Sequence, residues 1–402
     1  MVSYQDALER MLKVVQPLAS ERLPLTAAYG RMVAAPVVAP HPMPPFDQSL
    51  VDGYALRSRD TRTATSAQPV RLMLGQTLTA GEHLAQPMGP RQAIRIMTGA
   101  AVPPGANTVV KMEESDVEAG ALVLRQPLRR GLYVQRCGAE IRRGTVVLRQ
   151  GERLTPQRIG MALALGLDSV EVMRCPRVAL IAPGDELLPP GAAWQPGKKW
   201  CSNIYALDIR VQELGCTSLN LGLVPDTLES LSTQLRRGLE TDVVVILGAS
   251  GRGDHDFAAR AMAAIGAEML FRGVATSPGR SVTVARWAQT LIVGLPGSPW
   301  AAFVGFEVFV WPVLRAMLGQ RPARPMRQLA TLTTPLQGRP GVTSFVPARL
   351  QPRGTGWGAL PLETMLEFAR AESHPVGLIV VPPHRRCLPS GSRVRLQPIT
   401  AW

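Results

Sequence analysis

The segment that most constrains this chain runs from Asp242 to Asp256. Val243-Val244-Val245-Ile246-Leu247 is apolar at every position, so neither face of a strand formed there suits water. A run of that kind belongs inside a sheet covered on both sides by helices. It empties into Gly248-Ala249-Ser250-Gly251-Arg252-Gly253-Asp254-His255-Asp256. Glycines let backbone N–H groups approach phosphate oxygens, the arginine adds fixed positive charge, and the aspartates suit a divalent cation. Taken alone, the loop reads equally as a βα turn with an aspartate N-cap.

The surrounding pattern supports an α/β reading. From about residue 176, apolar strands alternate with helix-like segments: Arg177 to Ile181, Ile204 to Leu214, Leu228 to Leu239, the run from Asp242, Phe257 to Ile265, Thr290 to Val293, and a long buried helix from Trp300 to Leu318. Right-handed crossovers would gather the strand C-termini at one edge, the usual location of a ligand site. Outside this region the pattern differs. Ser3 followed by Asp6 resembles a capping box and opens an amphipathic helix ending by Pro17. A proline-rich connector then leads, near residue 45, into short strands broken by Gly and Pro up to about residue 135. Thr155-Pro156 starts a helix that ends near Gly166, and after Gly319-Gln320-Arg321-Pro322 short alternating runs predict a small β domain.

Three strand-to-loop junctions could face one ligand. Ala182-Pro183-Gly184-Asp185-Glu186-Leu187 places two carboxylates after a tight turn, suited to a metal or to capping. The second is the glycine-rich loop. The third, Gly294-Leu295-Pro296-Gly297-Ser298-Pro299, offers a helix N-terminus with Ser298 as N-cap and Pro299 at the first helical position, an arrangement that suits a phosphate. Ser277-Pro278-Gly279-Arg280-Ser281 adds a turn and a guanidinium. Asp52-Gly53-Tyr54-Ala55 sets a carboxylate and a phenol about a turn, while Glu113, Glu114 and Asp116 read as a solvated acidic face.

Composition excludes several classes. The net charge of +14 comes mostly from dispersed arginine, since lysine occurs only at positions 13, 111, 198 and 199, and aromatics are 5%. With no DNA- or RNA-binding pattern, nucleic acid is not expected as a partner. The five cysteines are odd in number and lack any CxxC pair, so neither a disulfide framework nor a zinc site is expected. A soluble, cytoplasmic protein is expected: the N-terminus lacks a signal-peptide pattern, and Pro299 to Leu314 is short for a bilayer and contains Glu307.

In order along the chain, Asp47-Gln48-Ser49-Leu50-Val51-Asp52-Gly53-Tyr54-Ala55, Arg95-Ile96-Met97-Thr98-Gly99-Ala100, Pro103-Pro104-Gly105-Ala106-Asn107, Gly184-Asp185-Glu186-Leu187, Gly253-Asp254-His255-Asp256 and Gly294 to Pro299 resemble the molybdopterin molybdotransferase family, of the MoeA and gephyrin E-domain type. The resemblance spans nearly the whole chain. It implies an elongated α/β plus mostly-β homodimer. Each subunit would have an N-terminal domain of residues 1–45 and 136–172, a β-rich inserted domain (46–135), a parallel α/β molybdopterin-binding domain (173–322) and a C-terminal β-barrel (323–402). The implied reaction joins adenylylated molybdopterin and molybdate, with Mg²⁺, to make molybdenum cofactor and release AMP. Its cleft would lie between the α/β domain of one subunit and the β-rich domain of the other.

By position, Asp52 and Glu140 would approach from the partner side, and Glu186, Asp226, Asp254 and Asp256 from the α/β domain. Glu186 and Asp254 are assigned to Mg²⁺ or to polarising the attacking group. Gly184, Asp185, Gly248, Ser250, Gly251, Gly253, Ser277, Gly279, Arg280, Pro296, Gly297 and Ser298 would surround the substrate. The chain departs from the family pattern in the 247–256 loop, at Asn107 for an aspartate, at Ser298 for an asparagine, and at Ser277 and Arg280 for two lysines. A lost lysine at an oxyanion site would weaken molybdate binding by a factor of tens, for a cost of about 1.5 to 3 kcal/mol. The pterin-adenylylating enzyme and client molybdoenzymes are the implied protein partners. The rival expectation is a paralogue that binds molybdopterin or finished cofactor and delivers it to a client without inserting metal.

Overall fold

A computed structural model describes residues 1–248, 257–320, 323, 328–354, 356–371 and 375–399. The central sheet has the strands β1 (Arg177–Pro183), β2 (Thr217–Val224), β3 (Val243–Leu247), β4 (Glu268–Arg272), β5 (Thr283–Trp287) and β6 (Thr290–Leu295), in the order β2-β1-β3-β6-β5-β4. The β2, β1, β3 and β6 strands are parallel, while β5 and β4 close one edge antiparallel. The all-apolar run becomes β3, with β1 on one side and β6 on the other.

Side chains alternate across the sheet, so each face of β3 meets its own core. Val243, Val245 and Leu247 face α3 (Asn203–Glu213), α6 (Pro299–Met317) and α1 (Tyr4–Lys13), where Ile204, Leu207, Phe306, Leu8 and Met11 are buried. Val244 and Ile246 face α4 (Leu228–Gly238) and α5 (Phe257–Ala264), against Leu231, Leu235, Ala261 and Met262. Burying five residues on both faces of one strand anchors the sheet, at about 1.5–3 kcal/mol per large apolar side chain.

The long buried helix has the predicted length and starts one residue earlier than the sequence pattern places it. It runs for 19 residues from Pro299 to Met317, with mean hydropathy 1.4, so by length and composition it could cross a membrane. Here 72% of its most apolar window is buried inside the molecule, which makes it a core helix. Its middle turn, Phe306–Val310, is π-helical, and the fully buried Glu307 sits in that turn. Glu307 is held by Arg210 of α3, with Nε–Oε1 2.7 Å and Nη2–Oε2 3.3 Å.

Ser3 caps α1 by accepting the Asp6 N–H at 3.1 Å, but the Asp6 carboxylate takes the Ser3 hydroxyl, so the expected reciprocal box is only half formed. Segments on either side of the β-rich insertion pair with each other, Ser20–Pro24 with Ser169–Met173, Val37–Val38 with Val146–Leu148, and Gln48–Ser49 with Val134–Gln135, and α2 (Pro156–Ala164) follows the insertion. Between them a six-stranded sheet forms around Gly53–Leu56, and the space there is tight. A Cβ on Gly53 would lie 1.9 Å from the Val110 carbonyl oxygen, so only glycine fits.

The C-terminal strands β7 (Gln328–Leu332), β8 (Thr343–Arg353), β9 (Gly356–Pro361), β10 (Val376–Val381) and β11 (Arg393–Pro398) close a five-stranded barrel through the β8–β10 pairing. The α/β plus mostly-β class is thus the observed one.

Candidate active site

The β1 and β3 strands end together at one sheet edge, and the turn after β1, the end of β3 and the β6–α6 junction help to wall a cavity of about 420 Å³. Glu186 and Asp226 line it, with Gly248, Gly297 and Ser298. Glu186 follows β1, Asp226 follows β2, Gly248 ends β3, and Gly297 and Ser298 lead into α6. Four strand ends thus supply five of the residues expected from the sequence.

The glycines are needed where the loops meet. A Cβ on Gly297 would lie 3.3 Å from Gly248 Cα, and one on Gly248 3.3 Å from the Pro183 oxygen, while Gly248 also has a φ of +103°. Backbone therefore packs on backbone between β1, β3 and α6. The Gly248 N–H donates to the Leu295 carbonyl at 3.0 Å, so it braces the loop and is not available to a phosphate. Ser298 occupies the N-cap position, yet its side chain makes no capping hydrogen bond. The N–H groups of the first turn of α6 have no helical partner, as at any helix start.

The carboxylates crowd one another. Asp185 Oδ1 accepts the Asp226 N–H at 3.2 Å, which sets Asp226 beside the Gly184–Glu186 turn. Burial, and then the Glu186 and Asp185 charges, push the Asp226 carboxyl above its ordinary range. Glu186 Oε1 lies 3.1 Å from Lys199 Nζ, a half-exposed pair of modest worth. Gly184 and Asp185 buttress the wall without lining it, and Pro296 is buried behind it.

The remaining sequence candidates fall elsewhere. Ser277, Gly279 and Arg280 form a turn at the β5 start that does not line the cavity, and Arg280 Nε lies 3.3 Å from Met1 Sδ. Asp52 and Glu140 are also away from it. Asp52 Oδ1 accepts the Thr98 N–H and hydroxyl, both at 2.7 Å, and those bonds hold its carboxyl below the usual range. Glu140 accepts from Gln135 Nε2 at 2.8 Å, and Gln135 in turn accepts from Gln48. Ser250, Gly251, Gly253, Asp254 and Asp256 lie outside the described residues. Asn107 Oδ1 accepts the Ser58 N–H at 2.9 Å, an acceptor role an aspartate would fill equally.

Sequence reasoning missed one wall, Lys199-Trp200-Cys201-Ser202-Asn203. Asn203 Nδ2 donates to the Gly297 oxygen at 2.7 Å and ties α3 to the third junction. Trp200 is 51% exposed and its indole N–H donates to Ala192. Two of the chain's four lysines, at 198 and 199, precede this helix start, and that local concentration of a scarce residue is the signal that could have found the wall.

Among the described residues no group of three or more metal-type side chains forms a ready cage. Glu186 and Asp226 nonetheless suit Mg²⁺, which takes one or two carboxylates together with substrate phosphate oxygens. The Asp226 carboxyl is raised first by burial and then by its acidic neighbours, and a divalent cation would favour its charged form.

Residues 2–166 match the family described as "MoeA N-terminal region (domain I and II)", and residues 179–316 match "Probable molybdopterin binding domain". "Molybdopterin molybdenumtransferase 2" of Mycobacterium tuberculosis is 35% identical over 344 residues, 83% of this chain and 84% of that protein. The Staphylococcus aureus molybdopterin molybdenumtransferase is 30% identical over 399 residues, 98% of this chain and 92% of its own length. The crystal structure of the molybdopterin biosynthesis MoeA protein from Pyrococcus horikosii superposes with a TM-score of 0.88 at 29% identity, covering 100% of both chains. With both halves of the chain matched and relatives aligned over most of their length, this protein belongs to the MoeA family of molybdopterin molybdenumtransferases.

Proposed function

We propose that this chain is a transferase that inserts molybdenum into molybdopterin, taking adenylylated molybdopterin and molybdate with Mg²⁺ and releasing AMP. The observation that carries the reading is the convergence of Glu186 and Asp226 with the Gly248 and Gly297 junctions in one cavity. The names of the relatives favour insertion over delivery alone.

The chemistry follows from the walls. The free N–H groups at the start of α6, aided by the helix dipole, suit the pterin phosphate. The exposed Trp200 indole offers a flat face to the pterin ring, and Lys199 supplies positive charge for an incoming oxyanion. Asp226 faces the cavity beside Glu186 and completes the carboxylate pair that would hold Mg²⁺. Mg²⁺ held by Glu186 and Asp226 would neutralise charge developing on that anhydride.

Asp52 and Glu140 do not line this cavity in one chain, so their use requires a second copy, and the homodimer is part of the proposal. Five free thiols accord with a cytoplasmic setting.

The test is reconstitution with adenylylated molybdopterin, molybdate and Mg²⁺, read as activation of an apo-molybdoenzyme. Activity is expected from the wild type and not from Glu186→Ala or Asp226→Ala. Pterin binding without metallation, beside a relative that metallates it, would overturn insertion. Mixing Asp52→Ala with Glu186→Ala chains should restore partial activity if each site uses two subunits, and no restoration would refute the shared cleft.

A further inference from the structure

A second depression, of about 520 Å³, lies where the first turn of α1 meets the outside of the barrel, and it shares no residue with the first cavity. Arg393 and Arg395 flank the buried Val394 on β11, so their side chains leave the same face of the strand, and Arg385 enters from the preceding loop. His384 adds a fourth nitrogen base to the lining, which holds no carboxylate. Among the described residues, no Asp or Glu lies within salt-bridge distance of these three arginines.

Some surface arginines are matched, Arg71 and Arg125 by Glu118 and Asp116 and Arg286 by Glu268, whereas this cluster has no acidic residue in its lining. Three guanidiniums line one depression whose walls hold no carboxylate, and an anion bound between them would balance that charge. Val380 and Leu388 give the depression an apolar wall.

We propose that this depression is a binding site for an organic di- or triphosphate, with the oxyanions forked by Arg385, Arg393 and Arg395 and the organic body against the Val380–Leu388 wall. Two or more adjacent negative charges match three guanidiniums better than a single carboxylate does. The three arginines stand at exposed positions, so altering them leaves the barrel core in place.

Calorimetric titration of the full chain with ADP, without Mg²⁺, tests this. Saturable binding is expected that weakens between about 0.05 M and about 0.5 M salt. An Arg393→Glu/Arg395→Glu double variant should weaken it at least about tenfold. Ser298→Glu, which places negative charge in the first cavity, should remove nucleotide bound there and leave a saturable component that the double variant lacks, since the two depressions share no wall. Absence of saturable binding overturns the proposal. So does complete loss of binding in Ser298→Glu, whether or not the double variant retains it, because the nucleotide then depends on the first cavity. If the double variant fails to fold by thermal unfolding, Arg385→Glu in the loop takes its place under the same criteria. No outcome depends on metal insertion, so failure here leaves the proposed reaction untouched.

Discussion

Replacing Glu307 by alanine should be among the most damaging single changes in the chain. Glu307 is fully buried, and Arg210, only 8% exposed at its side chain, gives it two hydrogen bonds. Arg210 Nη2 also donates to the Ile399 oxygen at 2.5 Å, and Gln397 Nε2 donates to the Glu307 carbonyl at 3.0 Å. The pair thus joins α3, the π turn of α6 and the end of the barrel. Burial pushes the Glu307 carboxyl up and the Arg210 charge opposes it. In Glu307→Ala the guanidinium keeps only Glu213, whose side chain is 58% exposed, and the Ile399 carbonyl. Removing one partner of a buried ion pair costs about 3–5 kcal/mol, and the half-exposed Glu213 offsets little of it. For a cooperative unit of about 150–250 residues that lowers the thermal midpoint by about 6–20 °C. Tryptophan fluorescence should report it, because Trp300 and Trp311 lie on α6. A double change, Arg210→Met with Glu307→Leu, removes both charges and should recover most of the loss. A fall of less than about 3 °C in Glu307→Ala, or a double variant no better than the single, would refute the argument. Because α3 begins at Asn203, the alanine variant should also loosen the Asn203–Gly297 contact that shapes the cavity.

Three further outcomes are expected. Because the fold raises the Asp226 pKa above 3.8, folding favours its protonated form, and that contribution is lost as pH rises from 3.8 through the folded value. Mg²⁺ competes with the same proton, so its affinity should climb over that window and then level off, and in Asp226→Asn the climb should vanish on calorimetric titration. For Asp52 the sign reverses: its contribution is present above 3.8 and disappears as pH falls through the lowered folded value, and Thr98→Val should move the Asp52 carboxyl resonance titration upward. Thiol reagents should modify the exposed Cys137 and Cys387 first, and Cys216, buried with its thiol pushed up to about 12, only on unfolding; rapid labelling of Cys216 in the native protein would contradict the packing.

Much of the α/β region could be read from the sequence because burial leaves a mark there. Five consecutive apolar residues on β3 report two covered faces, and Gly-Pro junctions report where strands must stop. The cap at Thr155, which accepts the Arg158 N–H at 3.4 Å, was legible for the same local reason. The antiparallel edge β5–β4 was not, since a short strand's direction depends on its neighbour. Nor was the Lys199–Asn203 wall, which carries no apolar period and becomes meaningful only once α3 docks beside Gly297.

By itself, then, the sequence determined the strand and helix alternation, the three glycine junctions and the carboxylates that follow two strands, because propensity, burial and turn geometry act over a few neighbouring residues. Only the tertiary structure decided which of these meet. It set Asp226 against Asp185 and Glu186, gave the Gly248 N–H to Leu295, kept the Ser277–Ser281 turn off the cavity wall, and brought α1 to the barrel beside three arginines. Those outcomes rest on contacts between residues tens to hundreds apart in the chain, and long-range packing has no signature in any short window of sequence.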